Sequence, residues 1–483
     1  MSEELRDYIE QNRIKTSPVY LQRFHATPPT GWINDPNGFI WFKGRYHLFG
    51  QFYPYGSQWG TMHWGHWVSD DLVAWNWSGV ALMPDMDADR DGCFSGTAIV
   101  VDNKLVVLYT GVQKQTNGQY LQQQCLAWSI DGFHFTKCAH NPVIGAGLLP
   151  AGCSAFDFRD PKVLRAGNKY WTIVTNMGSK GGQLLTFESD DLLHWRYKGV
   201  FFDGLDVMPE CVDVFSLNNT DMVILSLIGN PGTQYPHNRP TVLIHGRLDW
   251  TNATFTELGR DTLDYGFDFY APQTTEAPDG RRLMIGWMQY WHRPIPTDYL
   301  GHGWSGSMSL VRELEWSDNK LIQRPVSELA GYCRQIADEF YAIAPGQPLR
   351  LKVPTVCCIQ LSIHAEAGMQ LSFSDGQQPW FSMRFDSTNS QIETDIAGAG
   401  YVTYADNDVT TTLCPIDTHS GSMSVLLICD TSSIEAFING GERVISNRVY
   451  PKTVERCLCA VADSKPATVG IHISEIRKDA SIV

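Results

Sequence analysis

SDDLVAW from Ser69, SIDGFHF from Ser129 and SDDLLHW from Ser189 are three versions of one phrase, 60 residues apart and each following an apolar segment. A weaker echo, GRLDWTNATF, begins at Gly246. Such a period is the mark of a repeat architecture, and a second set of segments shows that there are five units rather than four. These are RYHLFGQF from Arg45, KLVVLYTGV from Lys104, KYWTIVTNM from Lys169, DMVILSLIG from Asp221 and RLMIGWMQ from Arg282, all strand-like in their apolar and aromatic content. Each lies just beyond a turn signal: Lys43-Gly44, Asn103, Gly167-Asn168, Asn218-Asn219 or Asp279-Gly280. Before that turn every unit has one more short apolar strand, beginning near Asp35, Ser95, Asp160, Glu210 and Ala271. Short strands at even spacing, with periodic aromatics and turns, predict a β-propeller whose units are four-stranded blades around a central channel.

If the opening strand of each unit is the innermost, Asp35, Asp160 and Glu210 converge on that channel. Asp-Pro pairs also make turns, which would account for one such acid taken alone. Three acids at matching phase in different units argue for a shared site.

The chain of 483 residues is 43% hydrophobic, which exceeds what one ordinary core requires and predicts two domains. Fifteen of the 16 tryptophans lie between Trp32 and Trp316, with only Trp380 beyond. The composition shifts near Arg324-Pro325, so residues 1–325 are assigned to the propeller. Val326 to Ala337 reads as a short helix in a linker, 326–345, that ends near the break at Pro345-Gly346. Over 346–483, runs such as CIQLSIHA, SVLLICD, SIEAFING and ATVGIHISEI predict a C-terminal β-sandwich. The fold class expected is therefore all-β.

A formal charge of -15 argues against nucleic-acid or anionic-membrane partners and leaves a neutral or mildly anionic small substrate open. No apolar run reaches transmembrane length, and MSEELRDYIEQNRIK is polar and helix-like with no signal-peptide core, so a cytoplasmic protein is expected if Met1 is the natural start. Twelve cysteines in this length read as reduced and mostly buried rather than as a disulfide framework. Asp87, Asp89 and Asp91 match the start of a calcium loop, but its twelfth position is Ala98, which lacks the bidentate carboxylate; a solvated acidic turn leading to Cys93 is the better reading. For His63 and His66, packing or substrate contact is favoured over a metal. No metal or cofactor is expected.

Around the acids the chain reads GWINDPNG from Gly31, FRDP from Phe158 and PECVDVF from Pro209. With FGQFYP around Gln51, WGTMHWGHW from Trp59, GCFSGTA from Gly92, DFYAPQT from Asp268, IGWM from Ile285 and TSSIEAFING from Thr431, it resembles glycoside hydrolase family 32, the invertase and fructanase family. The motifs keep their order from about Phe24 to the C-terminus. The resemblance implies a five-bladed propeller joined to a β-sandwich, and retaining hydrolysis of terminal β-fructofuranosyl bonds. It also implies Asp35 as nucleophile, Glu210 as general acid/base and Asp160 as transition-state stabiliser. Retention needs two carboxyl groups about 5–5.5 Å apart, one attacking while the other protonates the leaving oxygen and then activates water. Neighbouring carboxylates and partial burial are expected to raise the pKa of Glu210. Arg159 is expected to compensate the charge of Asp160 and to offer donors to sugar hydroxyls.

By the same transfer Asn34, Gln51, Trp59, Phe94, Ser95, Arg159, Asp268, Tyr270 and Trp287 are candidate substrate-binding residues, although blade packing would also explain Trp59 and Trp287, and explains Trp64 and Trp67 better. Two residues depart from the family pattern beside Glu210: Pro209, where tryptophan is common, and Val212, where proline is common. They leave the pH optimum open, and Cys211 either tunes the acid or packs. Three functions stay in view: an intracellular invertase acting on sucrose or sucrose 6-phosphate, a fructan exo-hydrolase or fructosyltransferase, and a non-catalytic sugar-binding propeller. His292, Arg293 and His302 are candidates for a phosphate subsite. The sandwich is expected to serve structure or subunit contact, as in a homodimer.

Overall fold

Ser69, Ser129 and Ser189 each end the third strand of a sheet, and the phrase that follows turns the chain into the fourth. In the computed structural model, which describes residues 3–13, 15–229, 235, 237–375, 379–398, 400–404, 409–417 and 421–477, the three turns are chemically alike. The serine Oγ accepts the N–H of Leu72, Gly132 or Leu192 at 2.8, 2.8 and 2.9 Å. Oδ1 of Asp71, Asp131 or Asp191 accepts the next two N–H groups at 2.8–3.0 Å. These local bonds replace the ladder where the chain reverses. Leu72 and Leu192 take φ of 66° and 67°, strain that is tolerated because both side chains are buried in hydrophobic cores. In the echo, Asp249 takes over the aspartate's role toward Thr251 and Asn252.

Five antiparallel sheets follow one another up to Pro325, and each of the five apolar segments picked out between Arg45 and Trp287 is the second strand of its sheet. The opening strands are β1 (Gly31–Phe42), β2 (Gly92–Val101), β3 (Cys153–Ala166), β4 (Met208–Leu217) and β5 (Tyr270–Glu276). They contact one another in cyclic order, and β5 returns to β1, so they line the axis of a propeller. Trp304–Ser305 pairs parallel to Gly31 and Trp32 at the point of closure. The strands start earlier than the sequence suggested, which places the acids inside them.

The sandwich is two six-stranded sheets around one core, with strands such as Cys357–His364 alternating cleanly between buried and exposed residues. The expected helix over 326–337 is instead a 3-10 turn, Ser327–Tyr332, followed by strand β6 (Cys333–Ile343). β6 pairs with β7 (Ala467–Ile476), so most of the segment read as a linker belongs to the sandwich. Its helix-forming composition misled; Ala337, Tyr341 and Ile343, two apart or four apart, pack on the core at strand period. Glu3–Arg13 is a helix, with Leu5 and Ile9 buried one turn apart.

At the seam between propeller and sandwich, Arg312 donates to Asp264 at 2.9 Å and Glu435 at 3.0 Å. His25 sits between Asp430 at 2.9 Å on Nδ1 and Glu435 at 3.0 Å on Nε2, all fully buried. The segment before His25 crosses the same seam: the Tyr20 hydroxyl donates to the carbonyl of Pro451 at 2.8 Å and the Gln22 amide to Ser433 Oγ at 2.6 Å.

The acidic turn at 87–91 is not simply solvated. Asp89 is buried and accepts from the Tyr109 hydroxyl at 2.6 Å and Lys137 at 2.5 Å, so an ammonium group already answers its charge. His66 stacks on His47 with Nε2 to Nδ1 of 3.0 Å, and burial holds both rings below the usual histidine range, while His63 bonds the Thr61 carbonyl.

Candidate active site

Every opening strand breaks its ladder at a corresponding point: between Ile33 and Pro36, Phe94 and Gly96, Arg159 and Lys162, Glu210 and Asp213, and Tyr270 and Gln273; β1 breaks again between Asn37 and Ile40, and β3 between Cys153 and Phe158. A bulge frees a residue from the ladder and re-aims its side chain. Asp35, Ser95, Asp160 and Cys211 lie at these breaks, and Asp160, Cys211 and Ala271 take φ of 60°, 50° and 52°. Each strained position is held by the preceding unit: Thr110 Oγ1 accepts the Asp160 N–H at 2.9 Å, Asp160 Oδ2 the Cys211 N–H at 2.9 Å, and Ser226 Oγ the Ala271 N–H at 2.8 Å. The same strand breaks that interrupt the blades therefore build the site.

Asp35 Oδ2 accepts the Ser95 hydroxyl at 2.8 Å and the Cys211 thiol at 3.5 Å; Oδ1 is buried without a hydrogen-bond partner among the described residues. The same thiol reaches Asp160 Oδ2 at 3.6 Å. Glu210 is the third acid at this point, with Arg159 on Oε1 at 3.1 Å and the Tyr270 hydroxyl on Oε2 at 2.7 Å. Burial first, and then the charge of Glu210, raise Asp35 to a pKa of about 6 against Ser95, Asn34 and Cys211. Asp160 is pushed up to about 7 by burial, with Arg159 opposing and the charges of Glu210 and Asp35 adding. Burial beside these acids also drives the Cys211 thiol far up, so it is a neutral donor linking two carboxyl groups rather than filler. Arg159 does not extend its fork toward free hydroxyls: its guanidinium is spent on Glu210, Gln122 and Asp157.

An aromatic wall stands over the acids. Trp32, Met62, Cys211, Tyr270 and Trp287 are buried together with Phe94 against them. Trp32 and Trp59 also line an adjoining cleft of about 540 Å³, together with Trp291, His292 and Arg293. Trp59 is 45% exposed with Phe94 edge-on at 5.9 Å, whereas Trp287, Trp64 and Trp67 are core residues. Asn34 accepts the indole N–H of Trp32 at 2.8 Å, and Gln51, in the second strand of the first sheet, donates to the Cys93 carbonyl at 3.0 Å, which ties β2 to that sheet. Val212 packs in the core of the fourth sheet.

Asp268 is a correction. It precedes β5, is 5% exposed, and its Oδ2 accepts the Arg448 N–H at 2.7 Å, so it ties the propeller to the sandwich instead of lining the cleft. Burial raises it to about 6. Of the three phosphate candidates, His292 and Arg293 line the cleft. Arg293 already lies over Phe267 and Tyr290 at 4.0 and 4.5 Å, and His302 stacks on Tyr20 at 5.6 Å. Trp32 and Trp291 were not anticipated, although Trp32 stands three residues before Asp35 in the motif already read.

Model matches to known families fall on both halves of the chain: the glycosyl hydrolases family 32 N-terminal domain over residues 25–325 and the family 32 C-terminal domain over 357–474. The chain is 36% identical to the sucrose-6-phosphate hydrolase of Escherichia coli, covering 92% of each, and 35% identical to that of Bacillus subtilis, covering 91% of this chain and 90% of the other. Its structure is similar to that of a Bombyx mori GH32 beta-fructofuranosidase mutant in complex with sucrose, with a TM-score of 0.84, 30% identity and coverage of 98% and 97%. Two family models in the right order, carried on a bulged ring that gathers three carboxyl groups, place the chain in glycosyl hydrolase family 32.

Proposed function

We propose that this protein hydrolyses the terminal β-fructofuranosyl bond of sucrose and sucrose 6-phosphate with retention, through a fructosyl-enzyme intermediate. The observation that carries the reading is the asymmetry of Asp35: Oδ2 is held by Ser95 and Cys211, while Oδ1 has no hydrogen-bond partner among the described residues and is the oxygen left to attack. In the first step Oδ1 bonds the anomeric carbon as the glycosidic C–O bond breaks, and Glu210 gives its proton to the departing glucosyl oxygen. In the second, Glu210 takes a proton from water, whose oxygen displaces Asp35 and releases fructose. Asp160, fixed by the Cys211 N–H, is placed to accept from ring hydroxyls, bonds that strengthen as the ring gains oxocarbenium character. Two carboxyl groups suffice for the chemistry, and no cofactor enters.

Trp32 and Trp59 offer apolar faces to the leaving sugar, and the sucrose-6-phosphate hydrolase names of the relatives support the substrate pair. Twelve free thiols suit a reducing compartment, and we place the reaction in the cytoplasm. The test is kcat/KM on sucrose, sucrose 6-phosphate, 1-kestose and inulin measured side by side. Turnover of the first two above the others is expected; preference for inulin, or no turnover at all, would overturn the reading.

A further inference from the structure

We propose that Lys162 and Asp213 are positioning residues whose ion pair fixes where Glu210 stands relative to Asp160 and Asp35, a role that rests on the hydrolytic reading above. Where each opening strand resumes its ladder after the break at the site, the first paired residue is Pro36, Gly96, Lys162, Asp213 or Gln273. These positions make a second ring next to the acids, and side chains rather than sheet hydrogen bonds join it. Lys162 Nζ lies 2.6 Å from Asp213 Oδ1, which links β3 to β4. Asp213 Oδ2 accepts the N–H of Thr274, which links β4 to β5. Gln273 donates to the Gly96 carbonyl at 2.8 Å, which links β5 to β2 past the intervening β1.

Asp213 is fully buried and the Lys162 side chain is only 13% exposed, and the pair lies outside the lining of the cleft. Such a pair is weak evidence of a stabilising role, because desolvation offsets much of its attraction. Its place is more telling. Lys162 is two residues beyond Asp160, and Asp213 is three beyond Glu210, so each partner follows directly on the irregular segment that carries an acid. Thr274 stands four residues beyond Tyr270, whose hydroxyl holds Glu210 Oε2 at 2.7 Å. Residues in a bulge lack a ladder of their own, and what lies immediately beyond them decides how they are aimed. At the break itself the Cys211 N–H and Asp160 Oδ2 link β3 to β4; Lys162 and Asp213 link the same two strands just after it. Arg282 also feels the charge of Asp213, but its guanidinium reaches Glu276 at 3.4 Å.

The test uses Lys162→Met, Lys162→Arg and Asp213→Asn, the last of which keeps an acceptor for the Thr274 N–H. For each, kcat/KM is measured on sucrose and on p-nitrophenyl β-D-fructofuranoside, with urea unfolding to fix the folded fraction. A misplaced Glu210 protonates its target poorly, which matters for a glucosyl leaving group and little for a nitrophenolate. Lys162→Met and Asp213→Asn are expected to lose at least about tenfold on sucrose and less than about threefold on the aryl fructoside. Lys162→Arg, which keeps the cation, should recover most of the sucrose rate. Equal losses on both substrates would overturn the proposal, because a pair that served stability alone would lower only the amount of active protein. Wild-type kcat/KM on sucrose in folded Lys162→Met would overturn it as well, and that variant decides the matter if Asp213→Asn does not fold. Wild-type protein that turns over neither substrate would overturn the hydrolytic reading and this role with it.

Discussion

Around Cys211 the propeller gathers Asp35, Asp160 and Glu210 and answers them with one guanidinium, that of Arg159; at the seam with the sandwich, Asp264, Asp430 and Glu435 meet Arg312 and a histidine clasped by two carboxylates. Both clusters are buried, yet their protons sit differently. In the ring, burial and like charge raise Asp35 and Asp160. At the seam burial pushes the same way, but hydrogen bonds and the charge of His25 bring Asp430 and Glu435 below the usual carboxylate range, with Arg312 also acting on Glu435. His25 is raised in turn, because its two carboxylate bonds outweigh burial. Asp264 and Asp268, the other acids at the seam, stay raised by burial. The difference teaches that burial by itself does not decide protonation; the balance of partners does, and the reactive site is the place where that balance is left incomplete.

The sharpest way to break this contrast is at the ring. Asp35→Asn is expected to lower kcat by at least about 10⁴ without loss of folding, because it removes the attacking oxygen while keeping the Ser95 and Cys211 contacts. A variant with wild-type turnover would end the nucleophile assignment. Glu210→Gln should cost about 10²–10⁴ on sucrose and much less in the first step on a fructoside with a good leaving group. Equal loss on both substrates would remove Glu210 from the acid role. The seam should respond in the other currency: His25→Ala removes the cation shared by two buried carboxylates, of which Glu435 keeps Arg312, and is expected to cost about 3–5 kcal/mol of unfolding free energy, with KM unchanged in the folded fraction. Urea unfolding beside kinetics would separate the two effects.

The pH dependence sharpens the same comparison. Asp35 must be ionised to attack, so kcat/KM of the free enzyme should fall as pH drops below about 6. For stability the sign is opposite. The folded ring binds protons that the unfolded chain has released, so between about pH 4 and 7 the ring acids make stability fall as pH rises. Asp160→Asn should flatten that slope and raise stability at pH 7 by about 1–2 kcal/mol while impairing catalysis. The contribution of His25 is fully present below its unfolded value and is lost as pH rises through its raised folded value; that of Asp430 and Glu435 is lost as pH falls through their lowered ones. Unfolding curves across pH for the wild type and each variant would check all three, and a slope unchanged by Asp160→Asn would contradict the ring assignment.

What could be read in the sequence was local. The Ser-x-Asp turns announce themselves because their hydrogen bonds close within three residues, and the strands between them because their side chains alternate or run apolar as a pleated sheet demands. The three acids were legible as a phase relation between repeats. Their surroundings were not: a bulge has no strong sequence mark beyond the residues themselves, so in sequence the strands begin to look like strands only at the acids, and nothing near Arg159 announces that Glu210 holds its fork. Asp268 looked like a pocket residue because it sits in a motif, while the Arg448 backbone that claims it is 180 residues away. The polar β6 read as helix because only its pairing with β7 tells which of its faces is inward. His25 drew no notice for the same reason, since both of its carboxylates lie in the sandwich.

Tyr20, Gln22 and His25 have one more property in common: their partners at the seam are 431, 411 and 405 or 410 positions further along the chain. During synthesis at 5–20 residues per second, these side chains leave the ribosome roughly 20–80 s before anything exists for them to bind. The propeller units can close in order of emergence, but the strap that joins them to the sandwich must remain open until the last strands arrive. Ribosomes stalled before residue 430 should therefore carry nascent chains that a protease cuts around residues 15–30, at a place the finished protein protects.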